Sequence, residues 1–320
     1  MKKITSTFTM LILLFLIAWQ TKSEDVFHEE TSINELPVQK PTFIDLDINH
    51  KYSSKSKGKI ESILYMAEYI TSDNSGEVGN TIFFSHRGNK QIRADFVPNS
   101  IYLDYSDGTN DITYYVDRKK PSKHMDVKES NEAIHRAMST WDEVTCSKLG
   151  ITERDFDDHL KTGVVAGSLG FGPKVDPIND WVADIVHAGW LPSEFFDFLA
   201  PGGSNFILGV TFSFITIIND QIVDEDNNGK PDIWFREIYY NDHFTWNTGG
   251  QFDVETIALH EAGHGLSQGH FGKAFKTNTK DKVQYTPRAI MNASYTGVQT
   301  DIEKNDNGDH CNIWSEWPSK

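Results

Sequence analysis

The sequence predicts an α+β fold, and three stretches carry that prediction. Residues 206–218 are the most β-prone run of the chain, rich in Ile, Phe, Val and Thr. Residues 232–240 have a similar composition. Residues 126–144 instead place apolar side chains at helical spacing. Strands mixed with long helices indicate an α+β or α/β domain, and α+β is the class we predict.

Local patterns predict the elements before residue 145. Residues 59–70 carry apolar side chains at positions 60, 63, 64, 67 and 70, which fits one face of a helix. Residues 111–117 alternate as a strand does. A second helix begins at Asp126, with Glu129 three residues later as in a capping box. Its apolar face consists of Ile134, Ala137, Met138 and Trp141.

Two further elements are predicted beyond residue 180. Residues 181–190 are apolar enough to form a buried strand. Residues 251–265 predict a helix, because Asp253 can cap it and Glu255 favours its positive end. Together with the two β-prone runs, these elements place most of the predicted structure after residue 110.

Composition excludes one class of partner. The chain has 320 residues, of which 38% are apolar and 12% aromatic, enough for a sizeable core. Lys and Arg total 30 against 46 Asp and Glu, which gives a formal net charge of −16. A nucleic-acid binder needs a basic face, so we expect no nucleic-acid partner. The acidic balance is compatible with cation binding, and we expect a monomer.

Residues 1–23 are typical of a secretory signal peptide. The basic start MKK precedes an apolar stretch of ten residues at positions 10–19. A bilayer-spanning helix needs about 20 such residues. We therefore expect a secreted protein, extracellular or periplasmic, that has no membrane association after signal removal; an uncleaved anchor is the alternative.

After the signal, the chain divides into two parts of different character. Residues 24–110 are polar and punctuated by Gly, Asn and Ser, and we interpret them as a propeptide or a retained accessory region. Residues 111–320 carry the sharper strand and helix signals and form the predicted main domain. In an exported protein the two cysteines, Cys146 and Cys311, indicate a disulfide. Two unpaired buried thiols are the alternative.

The segment HEAGHGLSQGH, residues 260–270, contains three histidines and one glutamate. On the predicted helix, His260 and His264 lie one turn apart on the same side, so both imidazoles can reach one ion. Glu261 is offset from that line by about 100°, where it can act on a bound water. His270 follows six residues after His264 and is the candidate third ligand. The alternative is a set of polar residues on an exposed helix.

This segment resembles the metzincin zinc metallopeptidases, whose pattern is H-E-x-x-H-x-x-G-x-x-H followed by a methionine turn. The matching functional positions are His260, Glu261, His264 and His270. Downstream, AIMNASY resembles the methionine turn, and its spacing is closest to the matrixin branch. The resemblance implies a twisted mixed β-sheet with an active-site helix. It also implies that Met291 underlies the zinc site and that Tyr295 lines the substrate pocket.

The chain departs from the family pattern in three ways. Ser267 stands where the family has a glycine, and a left-handed serine costs about 1 kcal/mol. Gly265 or Gly269 could take over the turn. More residues separate His270 from the methionine turn than in many matrixins, which indicates an insertion. No cysteine precedes Cys146, so latency based on a propeptide cysteine is excluded.

The predicted function is a secreted zinc endopeptidase that acts on polypeptides. Three histidines would hold one Zn²⁺, whose bound water has a pKa near 7. Glu261 would take the proton of that water as it attacks a peptide carbonyl, and then protonate the leaving amine. An edge strand at residues 236–242 would pair with an extended substrate.

Two alternatives to this function remain. The first is a secreted, non-catalytic binding or adhesion module in which zinc only stabilises the fold. Glu261 argues against it, because a structural site has no use for a base. The second is a metallopeptidase whose third ligand is a distant glutamate. His270 and the turn at Met291 argue against that one.

A second cation site is predicted at DEDNNGKPD, residues 224–232, as a candidate for Ca²⁺. Its acidic and amide side chains occupy alternate positions of a calcium loop, with a glycine for the turn. These side chains are Asp224, Asp226, Asn228 and Asp232. Position twelve holds Phe235 instead of glutamate, so this is not a complete EF-hand loop. A polar surface turn is the alternative.

Overall fold

The computed structural model describes residues 33–54, 58–87, 93–97, 100, 102, 109–277 and 280–318. The predicted signal peptide at residues 1–23 lies outside the described residues. In the described ranges, no helix combines the length and the apolar character that a membrane span requires.

Thirteen strands and four α-helices are formed by the described residues. The strands are β1 (Ile33–Glu35), β2 (Thr42–Phe43), β3 (Asn49–Ser54), β4 (Gly58–Thr71), β5 (Thr81–Phe83), β6 (Ile112–Val116), β7 (Ile151–Glu153), β8 (Ile185–Leu191), β9 (Ile207–Ile218), β10 (Gln221–Ile222), β11 (Ile233–Asn241), β12 (Lys273–Thr277) and β13 (Lys280–Thr286). The helices are α1 (Val127–Asp142), α2 (Val164–Ser168), α3 (Val254–Gly265) and α4 (Lys304–Trp314).

The main sheet is mixed and runs in the order β2-β5-β4-β9-β11-β8-β6-β7, with β3 beside β4 and β10 beside β9. Strands β11, β8, β6 and β7 are mutually parallel. Strand β9 is antiparallel to both of its long neighbours, β11 and β4. A separate small sheet has the order β1-β12-β13. Helices and a mixed sheet in one chain are compatible with the predicted α+β class.

Apolar clusters cover both faces of the main sheet. One contains the apolar faces of α1 and α3. These two helices are also joined by a hydrogen bond from Trp141 Nε1 to the carbonyl of Leu259, at 2.9 Å. The other cluster contains α2 and the aromatic residues after β8. Because the long strands are covered on both faces, they carry nearly continuous apolar runs.

The predicted helix at residues 59–70 is wrong, because this stretch is strand β4. Its apolar positions do fit a helical face. However, Tyr65, Met66 and Tyr69 lie between those positions and are also buried. A strand buried on both faces shows no clean alternation, so its period cannot be distinguished from that of a helix. Pairing with β9, from Ile60 opposite Ile218 to Thr71 opposite Ile207, decides the conformation.

The other predicted elements are confirmed with small shifts of their ends. Asp126 caps α1 by accepting the backbone N–H of Lys128 at 2.8 Å. The predicted strands correspond to β6, β8, β9 and β11. Helix α4 was not predicted, although Glu303 and Asp306 form a capping box at its start. The described residues between 33 and 110 are not separate from the main domain, because β4 lies inside the main sheet and one compact unit extends from Ile33 to Lys320. Residues 24–32 lie outside the described residues.

The predicted disulfide between Cys146 and Cys311 is confirmed, and it joins the chain after α1 to helix α4 across 165 positions. We expect the double variant Cys146→Ala/Cys311→Ala to lose about 2–4 kcal/mol of unfolding free energy, because the cross-link restricts the unfolded chain. Urea denaturation of the wild type and the variant measures this difference. Equal midpoints and equal slopes would contradict it.

Candidate metal centre

Helix α3 carries two histidines of the motif into the protein interior. Asp253 begins the helix, and its carboxylate accepts the backbone N–H of Thr256 at 2.8 Å. His260 and Glu261 have no exposed surface, and His264 is 2% exposed. Polar groups are buried at a cost unless they are paired or bind a ligand. The alternative of polar residues on an exposed helix is therefore excluded.

The structure brings the three histidines together. One ring nitrogen of each of His260, His264 and His270 lies within 4.8 Å of the others. The Nε2 atoms of His264 and His270 are 3.2 Å apart. Two nitrogens bound to one tetrahedral zinc ion are about 3.3–3.4 Å apart, given bonds of about 2.0–2.1 Å. Nε2 of His260 is buried and has no hydrogen-bond partner among the described residues. These donors fit a zinc ion.

Two backbone carbonyls orient the ligand histidines. Nδ1 of His260 donates to the carbonyl of Ile290 at 2.7 Å, and Nδ1 of His264 donates to that of Gln268 at 2.8 Å. A carbonyl can only accept, so each Nδ1 carries the proton and each Nε2 keeps its lone pair for a metal. Burial lowers the pKa of His260 to about 4 and that of His264 well below its usual value. Both rings are thus in the neutral form that binds metals.

The turn at Met291 packs directly beneath α3. A side chain at Gly263 would place its Cβ 2.3 Å from Sδ of Met291, so the helix needs glycine at this point. Asp306 at the start of α4 fixes the same turn, since its carboxylate accepts the N–H groups of Ile290 and Met291 at 2.9 and 3.1 Å. Asp306 thereby positions the carbonyl that orients His260. Sequence reasoning missed this residue, although the Glu303–Asp306 spacing was a usable capping signal.

The hydroxyl of Tyr295 forms its hydrogen bonds near the start of α3 and not with the histidines. That hydroxyl donates to the carbonyl of Gly250 at 3.2 Å and lies 3.4 Å from the backbone nitrogen of Asp253. Both partners are at the amino end of α3. A role for Tyr295 in a substrate pocket stays a prediction.

Ser267 itself makes the turn after α3. Its φ is +71°, whereas neither Gly265 nor Gly269 has a positive φ, so the expectation that a glycine takes over is wrong. The Ser267 hydroxyl accepts a hydrogen bond of 3.0 Å from Arg236. Arg236 is buried and also donates to the carbonyl of Gly265. The hydrogen bond to a buried charge compensates for the strained backbone.

Two substitutions at Ser267 separate these opposing effects. We expect Ser267→Ala to lower the free energy of unfolding by about 1.5–3 kcal/mol, because it removes the bond to Arg236 and keeps the strain. Ser267→Gly should lose about 1 kcal/mol less, because glycine relieves the left-handed backbone. Chemical denaturation of both variants measures the difference. An alanine variant as stable as the glycine variant would contradict it.

Glu261 follows His260 on α3, and its side chain packs against strand β9. Its Oε2 accepts a hydrogen bond of 2.6 Å from the hydroxyl of Thr211. A Cβ at Gly209 would lie 2.9 Å from its Oε1, so glycine gives the carboxylate room. Burial raises the pKa of Glu261 well above its usual value, and the hydrogen bond from Thr211 acts in the opposite direction. A carboxylate with a raised pKa is suited to accept a proton.

A second carboxylate, Glu68 of β4, also lies at the centre. It is 2% exposed, and its Oε2 is 3.4 Å from Nδ1 of His264. The other oxygen pairs with Arg93 and accepts the hydroxyl of Thr81 at 3.2 Å. Sequence reasoning missed Glu68, because it assigned residues 59–70 to a helix. No local signal links it to a motif that begins at residue 260.

The prediction that residues 236–242 form a substrate-binding edge strand is wrong. Strand β11 lies between β8 and β9, so it has no free edge along this stretch. The next strand, β9, is covered in turn by β4. The end of β4 also contacts the chain after the turn at Met291, where Tyr295 N–H donates to the carbonyl of Thr71 at 2.7 Å and Thr71 N–H donates to that of Ala293 at 3.3 Å. The Thr71 end of β4 therefore lies between β9 and residues 293–295.

The predicted calcium loop forms a separate acidic cluster. One carboxylate oxygen from each of Asp224, Asp226 and Asp232 lies within 4.8 Å of the others. Burial raises the pKa of Asp232 to about 7 and also raises that of Asp226. Asn228 was predicted to be a fourth side chain of this cation site. In the structure its side-chain oxygen instead accepts the N–H of Lys230 at 2.8 Å.

Comparisons with models of protein families and with curated proteins give no match to this chain. The resemblance to metzincins therefore rests on the sequence motif.

Proposed function

We propose that the protein is a secreted zinc-dependent endopeptidase related to the metzincins. The observation that carries the proposal is the convergence of three imidazoles, with the buried carboxylate of Glu261 on the same helix as two of them. His260, His264 and His270 would hold the ion, and Glu261, the residue after His260, is not one of the three clustered groups. A catalytic zinc uses three protein ligands and keeps one position open, whereas a structural zinc is closed by four.

The residues of the chain have distinct roles in peptide hydrolysis. Bound zinc would supply a Lewis acid that acidifies water and polarises the peptide carbonyl. Glu261 accepts the proton of the attacking water and transfers it to the leaving amine. Thr211 holds Oε2 of Glu261, which orients the carboxylate for that transfer. Asp306 keeps the turn at Ile290 in place and so maintains the orientation of His260.

We further propose that residues 24–110 act as a propeptide that keeps the enzyme latent. Strand β4 occupies the edge of β9 next to the zinc site, where an extended polypeptide would otherwise pair. Its end is held on the opposite side by residues 293–295. Glu68 brings a carboxylate to His264. A substrate would have to displace this strand before it could reach Glu261.

The test combines zinc content with cleavage of casein, an unstructured polypeptide. We expect the wild type and Glu261→Gln to bind one zinc each, and only the wild type to cleave casein after β4 is released. If both proteins bind zinc but neither cleaves casein, whether β4 is in place or released, the result would favour the non-catalytic binding module. Absence of zinc from the wild type would overturn the whole proposal.

A further inference from the structure

The turn that follows α3, at residues 266–268, positions two of the three histidines. The turn closes on the helix, because the N–H of Gln268 donates to the carbonyl of Gly263 at 2.9 Å. The carbonyl of Gln268 in turn accepts a hydrogen bond of 2.8 Å from Nδ1 of His264. His270 follows two residues later, and its Nε2 lies 3.2 Å from that of His264. The place of this turn therefore sets both the orientation of His264 and the distance between the two rings.

A single buried guanidinium, that of Arg236 on β11, holds the turn against the main sheet. Its Nη1 donates to the carbonyl of Gly265 at 2.6 Å and to the hydroxyl of Ser267 at 3.0 Å. Its Nε donates to the hydroxyl of Ser213 on β9 at 3.0 Å, and its Nη2 donates to the carbonyl of Ala94 at 2.9 Å. The donors of a guanidinium form a rigid planar fork. The four acceptors are therefore fixed relative to one another.

The guanidinium keeps its charge although it is only 1% exposed. Burial lowers the pKa of Arg236 to about 9, and the negative charges of Glu68 and Asp95 act in the opposite direction. Hydrogen bonds from a charged donor are roughly twice as strong as those between neutral groups. Gly265 ends α3, so its carbonyl has no partner within the helix. Arg236 thus binds the turn strongly at the point where the helix stops.

We propose that Arg236 is a positioning residue of the zinc centre, which holds His270 beside His264 before the ion binds. The inference rests on the proposed zinc site and adds a residue outside the ligand set. Groups that orient metal ligands from outside that set typically change metal affinity by about 10- to 100-fold when they are removed. A residue with a purely structural role would change the free energy of unfolding alone.

Competition with a chromophoric zinc chelator, carried out on the full chain, measures the zinc affinity. We expect Arg236→Lys to raise the Kd for zinc about 100-fold and Ser267→Ala to raise it about tenfold. The matched control is Ser213→Ala, which removes a hydrogen bond of the same length from the same guanidinium, but on the side of β9. This control should also lose stability in urea denaturation, and it should keep the zinc affinity of the wild type.

Glycine at position 267 separates zinc affinity from stability. Ser267→Gly relieves the left-handed backbone, so it should be more stable than Ser267→Ala. It should nevertheless bind zinc no more tightly, because it also lacks the hydroxyl and gives the turn more freedom. If the zinc affinities of the three serine variants instead follow their stabilities, Arg236 has only a structural role and the proposal is overturned. The serine variants decide this even where Arg236→Lys does not fold.

The same titrations distinguish this inference from the proposed peptidase function. A wild type that binds zinc, together with a Ser267→Ala variant that binds it equally tightly, would overturn the role of Arg236 and leave the peptidase proposal intact. A wild type that binds no zinc would overturn both. Since the readout is zinc affinity, a lack of cleavage leaves its result unchanged.

Discussion

Glu261→Gln should keep one bound zinc and lower kcat/KM for peptide hydrolysis by at least about 100-fold, the usual contribution of a general base. The amide has the same shape, so it can still accept the hydrogen bond from Thr211. It cannot take a proton from water. Zinc content by atomic absorption and initial rates on a fluorogenic peptide, taken after β4 is released, measure the two effects separately.

The matched control for this substitution is Glu255→Gln. Glu255 lies in the first turn of the same helix, and its carboxylate pairs with Arg136 at 2.6 Å. Its loss removes the same charge from α3 without touching the zinc centre. We expect this variant to keep its activity. If Glu261→Gln hydrolyses the peptide as fast as Glu255→Gln, then Glu261 is not the base.

Cutting the chain between residues 106 and 109 should raise kcat/KM by at least about tenfold at nanomolar enzyme concentration. In the intact chain, a covalent tether holds β4 on β9 at an effective concentration of about millimolar or more. Once the chain is cut, β4 can dissociate from β9 as a separate fragment, and dilution favours that dissociation. The experiment inserts a recognition site for a specific protease at this place. Peptidase rates are then measured before and after the cut.

Adding the strand back gives the reverse result. A synthetic peptide with the sequence of residues 58–73 should inhibit the cut enzyme, because it pairs with the edge of β9 again. A scrambled peptide of the same composition is the control. Full activity in the uncut chain, unchanged by the cut, would contradict latency. In that case β4 is a permanent wall of the site and residues 24–110 are an accessory region.

Local patterns predicted those parts of the molecule that depend on neighbouring residues. Helix α3 follows from the cap at Asp253 and the spacing of its apolar residues. The positions of His260 and His264 follow from the helical turn itself. The strands β6, β9 and β11 are recognisable from composition. The pairing of Cys146 with Cys311 was predictable because the chain has only two cysteines.

Tertiary structure decided the features that join distant parts of the chain. Residues 59–70 fit a helix as well as a strand, and only the pairing with β9 made them β4. The contact of Glu68 with His264, and that of Asp306 with the methionine turn, each link segments that no local pattern connects. Strand β11 became central because sheet order is set by long-range pairing.

By itself, then, the sequence indicated which residues are candidates to bind zinc and which residue is the candidate base, because helical spacing is a local property. The three-dimensional arrangement decided what surrounds them. It placed β4 along the edge of β9 and brought Arg236 of β11 to the turn after α3. The physical reason is that strand pairing and burial depend on contacts between residues far apart in the chain, which a local period does not record.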